Sequence, residues 1–285
     1  MELTQLSSRR RYADASVRAA VTAAVVLAIL PLGWLVFTLV ARGIGPILDP
    51  AWWLQSERYG GAANAIVGTL IQTAIAAVVA VPLGVLVAIY LVEYADTGRR
   101  LVRVATFMVD VLSGVPSIVA ALFVYAVWRT TLDMPRSGFA VALALVLLMV
   151  PLVVRATEEM LKIVPQDLRE AAYALGVPKW KTILRVVLPT AMSGIITGIM
   201  LAIARVMGES APVLILVGAT RAMNVNPFVG NQQSLPLMML QEYNKGPSGY
   251  ETVWGAALTL VIAVAIVYVL ARVLSRFTGP RMERS

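Results

Sequence analysis

Apolar residues run in six long stretches along the chain, at about 18–41, 64–92, 104–128, 138–154, 190–217 and 253–274, with polar connections between them. A hydrocarbon core about 30 Å thick takes about 20 apolar residues of helix, so each stretch predicts one membrane-spanning helix. The fourth is the shortest, yet residues 139–154 carry no charge. Pro82 and Gly84 in the second mark a kink that neighbouring helices can accommodate. Arg9, Arg10 and Arg11 precede the first stretch and no A-x-A-like cleavage site follows it, which predicts a retained helix and not a signal peptide. Most connections are short; the exceptions are 155–189, which is patterned, and 218–252, which is rich in Asn, Pro and Gly. No internal repeat or low-complexity tract divides the chain. The pattern predicts an all-α, polytopic membrane protein with six transmembrane helices, folded as one membrane domain over residues 1–285.

Composition agrees and removes several chemistries. The chain is 59% hydrophobic and only 14% charged, with a mean hydropathy of +0.79, which leaves too little charge to cover a soluble core. It has no cysteine and no histidine, so disulfides, thiolate sites, Ser-His catalysis and H-E-x-x-H zinc proteases are excluded. The net charge of +8 raises nucleic acid as a partner, but its distribution points elsewhere. Apart from Arg205, which lies inside an apolar stretch, only Arg42, Arg58, Arg129, Arg136, Arg221 and Lys245 fall on one side of the predicted membrane; every other Lys and Arg falls on the other. The positive-inside rule then places both termini in the cytoplasm. The basic excess is topology, the partner is the lipid bilayer, and nucleic acid drops out.

The 155–189 connection predicts two short helices. Pro165 suits a first helical position, Asp167 and Glu170 suit an early turn, and Gly176 suits the stop. Leu168, Ala171, Ala172 and Leu175 then share one face. Pro178 opens a second helix, which Lys179, Lys181 and Arg185 punctuate until Pro189 closes it. A compact docking knob and an amphipathic hairpin lying at the headgroups both fit this pattern. The order Glu170-Ala171-Ala172, three residues, Gly176, nine residues, Val186-Val187-Leu188-Pro189 resembles the EAA loop of ABC-importer permeases, written EAA-x3-G-x9-I-x-L-P. The chain departs at Val186, which keeps the apolar, β-branched character of the isoleucine. The resemblance implies that Glu170, Ala171, Ala172 and Gly176 belong to a helix that docks on an ATPase subunit and transmits its closure. The chain has no G-x-x-x-x-G-K-[ST], so it is expected to be no enzyme and to bind no cofactor, ATP being hydrolysed by a partner.

Arg205 and Glu209 are the charges inside the fifth stretch. At 1.5 Å per residue Arg205 lies about 24 Å along a helix counted from Pro189, past the midplane. A charge at the bilayer centre costs about 2.5–3.5 kcal/mol on insertion scales, so Arg205 must face protein or water. Glu209 follows one turn on, within reach if the helix is regular. The two could form a self-neutralising pair, although arginine before glutamate is the weaker i,i+4 order. Alternatively Arg205 serves a pathway, where a guanidinium fork matches two oxygens of a tetrahedral oxyanion. Other residues fit the lining of such a path: Asn64, Gly68 and Gln72 on one face of the second helix with Thr69 and Thr73 beside them, and the run from Ser113 through Gly114, Val115 and Pro116 to Ser117. That run can break the third helix and aim a half-helix N-terminus at an anion, and Pro212 can loosen the fifth. Singly, each also fits small-residue packing between helices.

The stretch 204–212, with its Gly208-Glu209-Ser210-Ala211-Pro212 run, resembles the permeases of phosphate ABC importers, the PstA family, as do 113–118 and 234–238. The likeness spans most of 64–274. It implies the six-helix, MetI-like permease fold in a bacterial inner or plasma membrane, translocating inorganic phosphate inward. The implied partners are a PstC-like sister permease, a PstB-like ATPase dimer and an extracytoplasmic PstS-like phosphate-binding protein. Within that family, arginines matching Arg155 and Arg205 are associated with phosphate passage, although Arg155 also sits where a snorkelling membrane anchor would. Sulfate or molybdate is the alternative cargo, since the EAA loop identifies the machine and not what it carries. An intramembrane enzyme built on Glu209 and Asp110, or an autonomous channel, would leave that loop unexplained.

Overall fold

The computed structural model describes residues 8–95 and 99–278. Arg281 and Arg284 of the cytoplasmic count lie outside these residues, as do the side chains of Arg9, Arg10, Arg11 and Arg276. Helix α1 (Ser8–Leu48) is much longer than its apolar stretch and touches the rest of the chain mainly through its second half, against the last helix. Asp49 ends it and caps α2 (Pro50–Leu54), accepting a hydrogen bond from the Ala51 N–H at 2.8 Å. Trp52 in α2 is buried, and its indole N–H donates to Thr259 Oγ1 at 2.9 Å.

Helix α3 (Ala63–Glu93) runs through the centre and remains one helix across Pro82. The third apolar stretch, expected over 104–128 and able to break at Ser113–Ser117, is broken there and starts earlier. It is α4 (Arg99–Ser113) and α5 (Ser117–Tyr125), bent by 105° at the three residues between them and followed by a π turn, Ala126–Thr131. Pro116 has no N–H to continue the ladder, Gly114 is a weak helix former, and Ser113 Oγ already donates to the Val109 carbonyl at 2.8 Å. The fourth stretch is α6 (Gly138–Ile163), longer than the predicted 138–154 because Arg155, Glu158 and Lys162 pair at helical spacing and extend the helix beyond the apolar run.

Helix α7 (Gln166–Ala174) starts one residue after Pro165, which holds the cap position. Then α8 (Lys179–Thr182), a π turn (Ile183–Val187) and α9 (Leu188–Met207) form one continuous helix, Lys179–Met207. Pro189 therefore does not close the second short helix. In the π turn the Leu188 N–H reaches the Ile183 carbonyl five residues back, and this wider turn accommodates the proline ring that follows. The fifth stretch instead breaks at Gly208, and α10 (Ala211–Leu216) resumes beyond it. Helices α11 (Leu235–Tyr243) and α12 (Tyr250–Thr278) complete the chain.

Among the described residues, five helices are long and apolar enough to cross a membrane, and the bent α4–α5 pair makes a sixth segment. The core lies where α3, α6 and α9 pack. Ala76, Ala80 and Ala88 of α3 are wholly buried, and Gly194 and Gly198 of α9 lie so close to Met160 and Ala156 of α6 that an added Cβ would collide. Small residues at four-residue spacing bring membrane helices into van der Waals contact where no water drives them together.

Candidate translocation site and docking loop

Arg205 occupies the last turn of α9 and is exposed on the surface of the chain, while its neighbours Val206 and Met207 are buried. The helix stops two residues later: the Gly208 N–H turns back to the Arg205 and Val206 carbonyls, and Glu209 donates its N–H to Val206 at 3.1 Å. Glu209 is thus off the regular helix, and the Arg205–Glu209 pair expected for a regular turn is not made. Neither side chain has a hydrogen bond or ion pair among the described residues. Beyond the break, Pro212 sits in the first turn of α10, which packs against α5 and α6. The broken third and fifth segments therefore meet. Ser117 is the first residue of α5 and half-buried, whereas Ser113 is exposed with its hydroxyl committed to α4.

Asn64 and Gln72 lie inside the chain. Both are buried, and their amides are used within the chain. Asn64 Oδ1 accepts from the Glu57 N–H at 2.9 Å and its Nδ2 donates to the Thr220 carbonyl at 3.0 Å. Gln72 Nε2 donates to Gln232 Oε1 at 3.1 Å, and Gln232 Nε2 in turn donates to the Asn224 carbonyl at 3.1 Å. Thr69 Oγ1 accepts the Leu235 N–H at 2.9 Å, and a Cβ on Gly68 would strike the Gln233 carbonyl. This face of α3 grips the 220–235 connection as a strut. Gln233 adds to the grip, donating to Glu57 Oε2 at 2.8 Å and Gln241 Oε1 at 3.1 Å.

Arg155 is no lone anchor. It pairs with Asp110 of α4, and its Nη1 donates to Glu158 Oε2 at 2.6 Å; Lys162 closes the ladder on Glu158 Oε1 at 2.7 Å. The pairing is one that spacing alone reveals for Glu158 and Lys162, whereas Asp110 comes from another helix.

In α7, Leu168, Glu170, Ala171 and Tyr173 face outward, as does the cap residue Leu175, and Ala172 is buried. Gly176 has φ +74°, a left-handed conformation that suits a residue without Cβ. Its N–H donates to the Tyr173 carbonyl at 2.9 Å and the Val177 N–H to Ala172 at 3.1 Å, the paired bonds of a Schellman stop. The side chain that sequence reading missed here is Arg169. Counted above only within the basic excess of one membrane side, it is 8% exposed and paired with Glu93. The available signal was its position three residues before Ala172, which puts both on the same, buried side of α7.

The family described as binding-protein-dependent transport system inner membrane component matches residues 80–284. The phosphate transport system permease protein PstA 1 of Mycobacterium tuberculosis (strain H37Rv) is 53% identical over 287 aligned positions, covering 98% of this chain and 92% of the relative. The PstA of Mycobacterium leprae is 52% identical, covering 92% and 88%, and that of Yersinia pestis 39%, covering 85% and 82%. The chain belongs to the PstA permease family. As a PstA-family chain it is a multi-pass membrane subunit of an ABC transport system and not an enzyme. Solved structures agree on the fold. The inward-facing MetNI methionine ABC transporter is similar with a TM-score of 0.62 at 19% identity, covering 81% of this chain and 100% of that one. A bacterial transporter for import of the acidic polysaccharide alginate reaches 0.66 at 13% identity, covering 95% and 100%.

Proposed function

We propose that this chain is one half of the membrane pathway of an importer that carries inorganic phosphate inward by alternating access. The observation that carries the reading is Arg205, an exposed guanidinium at the end of a spanning helix with no partner among the described residues, in a chain whose relatives are named phosphate permeases. Held at a helix break and facing off the chain, Arg205 offers two parallel donors to an oxyanion crossing between this subunit and a sister permease. Such a contact must release its ion readily, because a tight site would stall transport. Glu209, unpaired beside it, repels an anion and helps that release. Arg155, already held by Asp110 and Glu158, is a second contact that the anion reaches only by displacing a carboxylate.

The whole chain acts as a single permease domain with both termini cytoplasmic, in the inner membrane. A PstC-like sister permease completes the path, a PstB-like ATPase dimer hydrolyses ATP below it, and a PstS-like protein delivers phosphate outside. The exposed face of α7, with Glu170 and Ala171 on it and Gly176 ending it, docks on the ATPase. Sulfate and molybdate are disfavoured as cargo, since the relatives named above are phosphate permeases.

The test is uptake of radiolabelled phosphate into proteoliposomes holding this chain and its three partners, with sulfate and molybdate as competitors. Uptake that needs ATP and resists both competitors is the expected result. Competition by sulfate would keep the importer and discard the cargo, and transport without ATP would discard the role of α7.

A further inference from the structure

Arg169 lies in the middle of α7 but does not belong to its outward face. Its guanidinium is buried at the junction of three helices. Nη2 and Nε donate to Glu93 Oε1 at 2.8 and 3.2 Å, Nη1 donates to the Val164 carbonyl at 2.7 Å, and Nη2 also reaches the Leu161 carbonyl at 3.0 Å. Glu93 is the last residue of α3 and is itself 8% exposed. Leu161 is in the last turn of α6 and Val164 is its cap residue. Both carbonyls therefore belong to a helix end that has no intrahelical donors left, and a cation there also meets the negative end of the helix. One side chain thus fastens α7 to the C-terminal ends of α3 and α6 together. The chain after α7 is tied to the same end of α3, since the Lys179 ammonium of α8 lies 4.8 Å from the Tyr94 ring centroid.

Stability is a weak reason for such a pair, because apolar residues of similar volume commonly do as well in a buried site. What four directed bonds provide is geometry: the planar fork holds its partners in one arrangement. Helices α3 and α6 form the most extensive helix–helix contact among the described residues, and α3 carries the Gln72 and Gly68 grip on the 220–235 connection at its other end.

We propose that Arg169, seated on Glu93, is the positioning residue that makes α7 and the ends of α3 and α6 move as one body. A displacement of α7 is thereby carried along α3 to the far connection. This inference rests on the reading of α7 as the ATPase dock. Arg169 touches no substrate. Its role is to fix where the docking helix stands relative to the core.

The experiment uses the full complex in proteoliposomes, with phosphate uptake and ATP hydrolysis read on the same preparation. Glu93→Gln and Arg169→Lys each lower the phosphate moved per ATP hydrolysed by at least about fivefold, the lower end of coupling between distant sites, while the ATPase still co-purifies. A purely structural role would reduce the amount of complex and leave that ratio alone, so an unchanged ratio in Glu93→Gln overturns the proposal. A second measurement does not depend on these variants assembling. The chain has no cysteine, so spin labels on Ala95→Cys and Ala174→Cys report one distance between the end of α3 and the end of α7. That distance stays constant between nucleotide-free and ATP-bound complexes. A change greater than one helical turn, about 5.4 Å, overturns the strut. A wild-type complex that fails to move phosphate sinks the cargo reading alone, and the labelled pair still decides the strut.

Discussion

Gln72 and Arg205 are both polar side chains on long apolar helices, and the chain treats them differently. Gln72 is 1% exposed, with its amide donating to Gln232 and the network continuing to Asn224. Around it Asn64, Thr69 and Gln233 are likewise hydrogen-bonded within the chain. Arg205 is exposed on the chain and Glu209 half-buried, and neither finds a partner among the described residues. A buried polar group is costly to leave unpaired in an apolar medium, so the first region is closed by its own side chains and serves the fold. A guanidinium left open at a helix break in a spanning segment needs its counterpart from outside the chain, whether a sister subunit, water or a passing anion. The difference separates polar residues that hold the protein together from those that await something it does not contain.

The comparison breaks first at Arg205. Arg205→Gln removes the charge without touching the core, and the expected result is a loss of phosphate uptake of at least about 100-fold, equivalent to about 2.7 kcal/mol. Thermal stability should stay within about 0.5 kcal/mol of the natural chain, as for other exposed substitutions. Arg205→Lys keeps the charge and loses the planar fork, so it should fall between the two. If Arg205→Gln transports normally in assembled complexes, the open charge has no part in passage.

The strut that Gln72 and Gly68 of α3 form with the 220–235 connection predicts the converse. Gln72→Ala strands the Gln232 amide oxygen and should cost about 1–3 kcal/mol of stability. Gly68→Ala forces a methyl against the Gln233 carbonyl and should cost a similar amount, about 1–3 kcal/mol. Thermal unfolding of the purified chain reads both. Uptake per folded complex should fall far less than in Arg205→Gln. A strut variant that keeps its stability and loses transport would move Gln72 back onto a pathway.

Hydropathy and spacing made much of this legible, for physical reasons that also mark their reach. Six apolar stretches of spanning length are averages over many residues, and such averages survive local detail. Gly114, Pro116 and Gly208 carry the breaks in their own backbone chemistry, so the bend after Ser113 was readable as a break but not as 105°. Pro189 misled because a proline can end a helix or be accommodated within it, and the π turn at Ile183–Val187 that accommodates this one has no sequence signature. The four-residue rhythm of Asn64, Gly68 and Gln72 marked one face of α3, whereas the partner that Gln72 finds lies 160 positions away. Glu93 and Arg169 are 76 positions apart. Composition shows an arginine in a basic loop, and only the fold shows that it is buried.

The smallest expected effect concerns Arg155, which stands between the two regions because it is paired yet one-third exposed. Asp110→Asn removes one of its two carboxylates and leaves the Glu158 bond at 2.6 Å in place. Asp110 is itself more than half exposed, and partly exposed pairs contribute about 0–1 kcal/mol. Stability should therefore change by less than about 1 kcal/mol, and uptake by less than about fivefold, the rate equivalent of that energy. Arg155→Gln should lower uptake more, because the guanidinium itself goes and Glu158 keeps only Lys162. If Asp110→Asn instead equals Arg155→Gln, the arginine acts through its tie to α4, and Arg155 joins the residues that hold the protein together. If Asp110→Asn raises uptake, the carboxylate competes with the anion for the same donors, and Arg155 belongs with Arg205.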